Sequence, residues 1–497
     1  MHNERSPLLG TKAKDAGSDQ SKWTSIYLLS ICVFFLCASD TLLSVPLTQL
    51  IEDNICRQDV KKIMDLSLIT EGFCKNDHIQ TKLAYTTSSL PVVEAIVGLI
   101  TAFPFGVLAD RIGQKPVIYL SVIGTMLCMS WELIVLAFPG TLPARLIVAG
   151  PLFLVVGGGF TVQVSLTYSI ACNLADSSNR ASAFFVIEFA GLLGNTLGPV
   201  IASNLMQATS PWIPALISIF LAPISLISLS FIPETHNASE ETFSKQHNLD
   251  QTYDLKPHTI KSHLSQSFHL FNQSLASLKS NSIIIILATG LIRMPEFIGT
   301  SQFLAQYISK RFNWSLAETG YLLTLRGMIH MVVLLLALPI LSTILLRWQS
   351  SNRRDLTLAR ISTGMAAMGM FWMAASRIDV VVMGLAIQSL GAGMGPLCRS
   401  LANGYVSQQE TSNLNTLMGI LQTGGSLFGG PALAWLFDVG MGRGGMWVGL
   451  PYFGLTGAFL LCFVGLLFVN APAGSGDDED HDIQFMGDID HNSFVVC

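Results

Sequence analysis

Apolar runs recur along this chain with polar breaks between them, most of them about 20 residues or more, the length a helix needs to cross a bilayer's hydrocarbon core. They lie near 24–50, 84–108, 116–138, 145–172, 181–206 and 212–232, then near 282–307, 317–345, 357–376, 380–402, 413–437 and 446–470. The pattern predicts an all-α integral membrane protein of about twelve transmembrane helices, six in 23–234 and six in 282–470. Polar stretches frame the two sets. Residues 1–22 read as a disordered tail, 235–281 as a linker rich in Ser, His and Asn, and 471–497 as an acidic tail without Lys or Arg. Within the linker, segment 257–279 carries apolar residues near a helical period (Ile260, Leu264, Phe268, Leu270, Phe271, Leu275 and Leu278), as for a helix lying in part on the inner membrane surface.

An internal repeat supports two matching halves. A glycine-rich segment, a polar turn and a second glycine-rich segment run from Gly157 to Gly198-Pro199, and again from Gly391 to Gly430-Pro431. Composition agrees with a membrane protein: 50% of residues are hydrophobic and 12% charged, about half the charged share of an average soluble domain. The net charge of −5 argues against a nucleic-acid partner. Lys and Arg favour the side that holds the N-terminus, the linker and the C-terminus, which predicts both termini in the cytoplasm. The first external connection is then the long segment 51–83. It carries Cys56 and Cys74, and a disulfide between them is expected, contributing on the order of 3 kcal/mol by chain entropy. Asn313, in NWS, falls on the same outer side. The cysteines show no metal-ligand spacing, and no metal or cofactor is expected.

Between the second and third runs stands GVLADRIGQKP, Gly106 to Pro116. It resembles the loop signature G-x-L-a-D-r-x-G-r-k-x of the major facilitator superfamily. Gly106, Asp110, Arg111, Gly113 and Lys115 fall on the pattern, and Gln114 replaces its usual base. The resemblance implies a secondary transporter with a gating loop on the cytoplasmic side. In that loop glycines would allow a tight turn, and Asp110 would face a helix N-terminus. In the fifth run, Gly194-x-x-x-Gly198-Pro199 is similar to a motif of facilitator drug/proton antiporters, with Ala202 and Ser203 in place of two following glycines. A looser resemblance is to the proton-coupled folate transporter family. It implies proton coupling at the glutamate matched by Glu188 and places an arginine at Arg399.

Ionisable residues inside apolar runs cost about 2.5–3.5 kcal/mol each on insertion scales, so each is a functional candidate. Here they are Asp40, Glu94, Glu132, Glu188, Arg293, Glu296, Arg326 and Arg399, with His330 beside them. Glu188, Asp40 and Glu296 are the expected proton carriers. Glu188 comes first, because Gly191, Gly194 and Gly198 follow it at helical spacings and would shield it behind a close-packed helix. Arg293, Arg326 and Arg399 are the candidates for clamping an anionic substrate, and Arg293 and Glu296 could instead pair with each other. His330 reads as a hydrogen-bonded core histidine.

No G-x-x-x-x-G-K-[ST] motif is present, and no nucleophile–base set points to an enzyme. The expected function is proton-coupled efflux of a small organic molecule by a fungal-type facilitator. Proton-coupled uptake of an organic anion is the folate-like alternative, and a non-transporting membrane sensor is the alternative of another class. The expected partners are a small-molecule substrate, protons and the lipid of a plasma or vacuolar membrane, for a monomeric protein.

Overall fold

The computed structural model describes residues 8–63, 74–175, 180–232, 281–405 and 411–471. These form twelve spanning helical elements and no strand among the described residues. In the first half they are α1 (Leu8–Ile63), α2 (Asp77–Ile112), α3 (Gln114–Ala137), α4 (Ala144–Val156 as a 3₁₀ stretch, then Gly159–Leu174), α5 (Arg180–Ala208) and α6 (Trp212–Ser230). The second half has α7 (Asn281–Thr300, then Gln302–Phe312) and α8 (Leu316–Val332, a π turn Val333–Ala337, then Leu338–Leu346). After these come α9 (Ser351–Met373), α10 (Ile378–Leu390, Gly391–Gly393, Met394–Asn403), α11 (Thr411–Arg443) and α12 (Gly445–Gly449, then Leu450–Leu467).

Two expected boundaries change. The helix α1 begins at Leu8, inside the stretch read as a tail, because a formed helix extends for one hydrogen bond per added residue through good helix formers such as Leu9, Lys12, Ala13 and Lys14. The first external connection is shorter than the expected loop of 51–83, since α1 continues to Ile63 and α2 starts at Asp77. The helix expected within 257–279 and the acidic tail beyond 471 lie outside the described residues.

Glycine sets how closely the helices approach. A Cβ on Gly157, at the joint of α4, would come 2.2 Å from the Ser121 Cα of α3, and one on Gly391, at the joint of α10, 2.6 Å from the Ser362 carbonyl of α9. The repeat found in the sequence is thus a pair of broken helices, each laid against the preceding helix at its break. In α5, Gly194 meets the Phe34 carbonyl of α1 and Gly198 meets Thr41, leaving space for no side chain at either glycine. The proline that follows a break or kink loses a backbone donor, and neighbours or local rewinding make up the loss. Pro339 follows the π turn of α8, and at the break of α7 the Tyr452 hydroxyl donates to the Gly299 carbonyl at 3.0 Å.

The turn between α2 and α3 is one residue long. Gly113 sits at φ 97°, ψ 157°, where a side chain would be strained, and its amide donates back to the Ala109 carbonyl at 3.0 Å. Lys115 reaches the Ile232 carbonyl beyond α6, and Gln114 accepts no charge role but donates to Ser169 of α4 at 2.6 Å. Gly106 has open space where a Cβ would go, so close approach does not require glycine there. Arg111 is exposed, and the Asp110 side chain lies outside the described residues.

At the opposite end of the bundle the structure joins Cys56 to Cys74, which ties α1 to the start of α2. This end also carries direct polar contacts between the two halves. Gln306 of α7 donates to the Gln80 carbonyl of α2 at 2.7 Å, with both residues buried. Thr81 donates to Asp438 of α11 at 2.7 Å, Lys75 to the Trp314 carbonyl at 2.8 Å, and Lys310 pairs with Asp77 at 2.6 Å. Alongside them α8 lies on α5 through Gly320 and Ser203, and α11 on α2 through Gly430 and the Ser88 carbonyl. The halves are therefore latched at the disulfide end.

Two expectations follow. Gly157→Val should lower the thermal midpoint of the detergent-solubilised protein by several degrees or prevent a monodisperse peak, since forced overpacking typically costs 1–3 kcal/mol, whereas Gly106→Ala should match wild type. Equal behaviour of the two variants would contradict the packing described. Gln306→Leu should remove about one hydrogen bond's worth of closure, ~1 kcal/mol, and raise modification of a Ser88→Cys reporter by an impermeant maleimide about fivefold. An unchanged rate would show that the latch does not depend on Gln306.

Candidate functional site

The interior charges sort into three groups, and the sorting differs from the sequence-based expectation. The first lies in the first half, where Asp40 of α1, Glu94 of α2 and Glu132 of α3 are within electrostatic reach of one another. Glu132 is buried and meets the Cys128 thiol at 3.5 Å, while Asp40 and Glu94 are exposed. None of the three pairs with a basic residue among the described residues. Gly150 of α4 leaves the space that Glu132 fills, since a Cβ there would come 2.9 Å from its Cγ. Glu94 and Glu132 stand among the ionisable residues of the apolar runs, yet their grouping with Asp40 depends on three helices meeting and has no sequence signal of its own.

The second group lies in the second half. Arg293 and Glu296, three residues apart on α7 with Pro295 between them, pair at 3.2 Å. Gln388 of α10 donates to the other Glu296 oxygen at 2.7 Å. Buried Glu296 is thereby engaged on both oxygens. A cation and a hydrogen-bond donor hold it, which suits a positioning role better than that of a free proton carrier. Arg326 and His330 of α8 are within electrostatic reach of Arg293. Arg326 pairs with neither Glu296 nor Asp40, and His330 has no side-chain hydrogen bond among the described residues, contrary to the sequence reading of it as a bonded core histidine.

Glu188 belongs to the third group. It is exposed rather than shielded, and it accepts a hydrogen bond from the Tyr168 hydroxyl of α4. The three glycines of α5 face α1, and at about 100° per residue they centre roughly a quarter turn away from Glu188. Its own face of α5 is left open toward Tyr168 and, beyond it, Arg399 of the other half, which is in electrostatic reach of Tyr168. Arg399 is exposed and bonds to nothing among the described residues. Of the three arginines, Arg293 is within electrostatic reach of Arg326, whereas Arg399 is in reach of Tyr168 and is not among the charges acting on Arg326. Gln388 and Tyr168 are site residues that the sequence reading missed, because a Gln or Tyr in an apolar helix carries no pattern that distinguishes it from packing.

The bundle thus holds charge of opposite sign in its two halves, and the polar contacts between halves described above all lie at one end. Among known proteins, a curated efflux pump, atnC of Emericella nidulans, is 27% identical to this chain over 86% of it and 85% of the pump. The crystal structure of the human organic anion transporter MFSD10 shares the fold with a TM-score of 0.59 at 18% identity, over 90% of this chain and 99% of that one. So does an inward-open structure of the xylose transporter XylE from E. coli, with a TM-score of 0.60 at 14% identity, over 91% and 97% of the two chains. The residue pattern of the Major Facilitator Superfamily matches residues 29–430. On that match, and with a helical bundle of the same fold behind it, the chain belongs to the Major Facilitator Superfamily and is a multi-pass membrane transporter rather than an enzyme.

Proposed function

We propose that this transporter couples proton movement to the export of a small organic molecule. The observation that carries the coupling is the first charge group. Asp40, Glu94 and Glu132, from three helices, lie within electrostatic reach of one another with no basic partner among the described residues. Carboxylates of this kind can take up and release protons, whereas Glu296 is committed to Arg293 and Gln388. Asp40 is the proposed carrier: it is exposed and lies on α1, the helix on which α5 is packed through glycine. Export as the direction is supported by the name of the similar efflux pump and by the partial antiporter motif ending at Gly198-Pro199.

With both termini on the cytoplasmic side, the latched disulfide end faces outward and the Gly113 end inward. The described state then accepts substrate from the cytoplasm, and rocking of the halves would open the other end. The Tyr168–Glu188 hydrogen bond supports a second carrier at the inward end, where Arg399 could meet Glu188 when that end closes.

Efflux and counterflow of a panel of small aromatic compounds in proteoliposomes, with and without an imposed pH gradient, test this reading. Asp40→Asn should abolish gradient-driven accumulation while sparing gradient-free counterflow. Wild-type gradient dependence in Asp40→Asn, with loss in Glu188→Gln, would transfer the proton to the Tyr168–Glu188 pair. Wild-type dependence in both variants would overturn proton coupling at these sites.

A further inference from the structure

Arg326 is a cation with no ion-pair partner among the described residues. Its Nε is sealed from solvent with no hydrogen-bond partner, and no ion pair engages its guanidinium among the described residues. The acid in electrostatic reach is Glu296, which Arg293 already holds at 3.2 Å and Gln388 at 2.7 Å. Arg293 is also within electrostatic reach of Arg326, and His330 follows one turn along α8. With the histidine neutral, two guanidinium groups share one carboxylate, an excess of one positive charge.

The surroundings favour a ligand over a packing role. Gly395 of α10 makes room for Arg293: a Cβ there would stand 3.3 Å from the arginine Nε. The Gln388 side-chain carbonyl, next to Glu296, is a buried acceptor with no partner among the described residues. A planar guanidinium with free donors matches a carboxylate in two parallel hydrogen bonds, and an excess of one charge matches a monoanion better than a phosphate dianion.

We propose that Arg326 recognises the carboxylate of a transported organic monoanion, with the Arg293–Glu296–Gln388 set positioning the second guanidinium beside it. This rests on the transport reading above and adds the substrate class. It also places anion and proton in opposite halves, the anion against α7 and α8 and the proton among α1, α2 and α3. The two would then be coupled through the rocking of the halves and not by direct exchange at one residue.

The test uses the full-length purified protein and matched probes: monocarboxylates from benzoate to 2-naphthoate, each beside its uncharged amide, at constant chloride. At least one carboxylate should raise the thermal midpoint where its amide does not. Arg326→Gln should weaken that effect at least tenfold in apparent affinity. Arg326→Lys, which keeps the charge and loses the paired geometry, should fall between, and it serves as the readout where the Gln variant does not fold. No carboxylate preference in wild type, or one that survives Arg326→Gln, overturns the proposal. Flux separates it from the reading beneath it: gradient-driven efflux of amides and carboxylates alike would leave proton-coupled export standing and remove the anion site. Carboxylate binding at Arg326 without flux under any gradient would do the reverse.

Discussion

Inside hydrocarbon, helices gain little from burying apolar surface against one another, because lipid is equally apolar. What draws them together is close contact, and contact at backbone distance needs glycine. This chain relies on that constraint repeatedly: Gly157 on Ser121, Gly391 on Ser362, Gly369 on the Gln388 amide, and Gly198 on Thr41. The charged groups take their places from these contacts. Gln388 reaches Glu296 because α10 is pressed to α9 at Gly369, and Glu188 reaches Tyr168 because α5 is turned by its glycines onto α1.

The two halves repeat each other in backbone and differ in charge. Both contain a helix broken at a glycine and a later helix with a Gly-Pro pair, yet one collects carboxylates and the other guanidinium groups. In the proposed mechanism, symmetric scaffolding would let the halves rock as units, while asymmetric charge would let them bind different things. The contacts at the disulfide end mix one well-buried amide link, Gln306 to Gln80, with a half-exposed ion pair, Lys310 to Asp77. An exposed pair of that kind contributes at most about 1 kcal/mol, so such a closure can hold one state and still release it.

Much of the architecture was legible in the sequence. Spans announce themselves through length and hydropathy, and among the described residues ten helices are apolar enough to cross on that basis alone. The polar α9 and the Gly-rich α11 are carried by their neighbours. The hinge was legible because Gly113 must occupy a backbone conformation that other residues avoid. The site was legible only as a roster. Which ionisable residues meet depends on how each helix is rotated about its axis, and a helix's own sequence does not fix that angle against five others. Hence the spacing reads Glu188 as shielded by glycines that in fact face α1, and it carries no sign that Arg399 lies in reach of Tyr168.

The ties at the ends of the first three helices have a mechanical consequence. The disulfide fastens α1 to α2 at one end, and Gly113 fastens α2 to α3 at the other, like the alternating joints of a folding ruler. Such a zigzag resists sliding of any one member along its neighbours, since sliding would stretch a joint too short to give. The three helices that carry Asp40, Glu94 and Glu132 are thus kept in axial register, so that an axial shift of one would draw the other two with it.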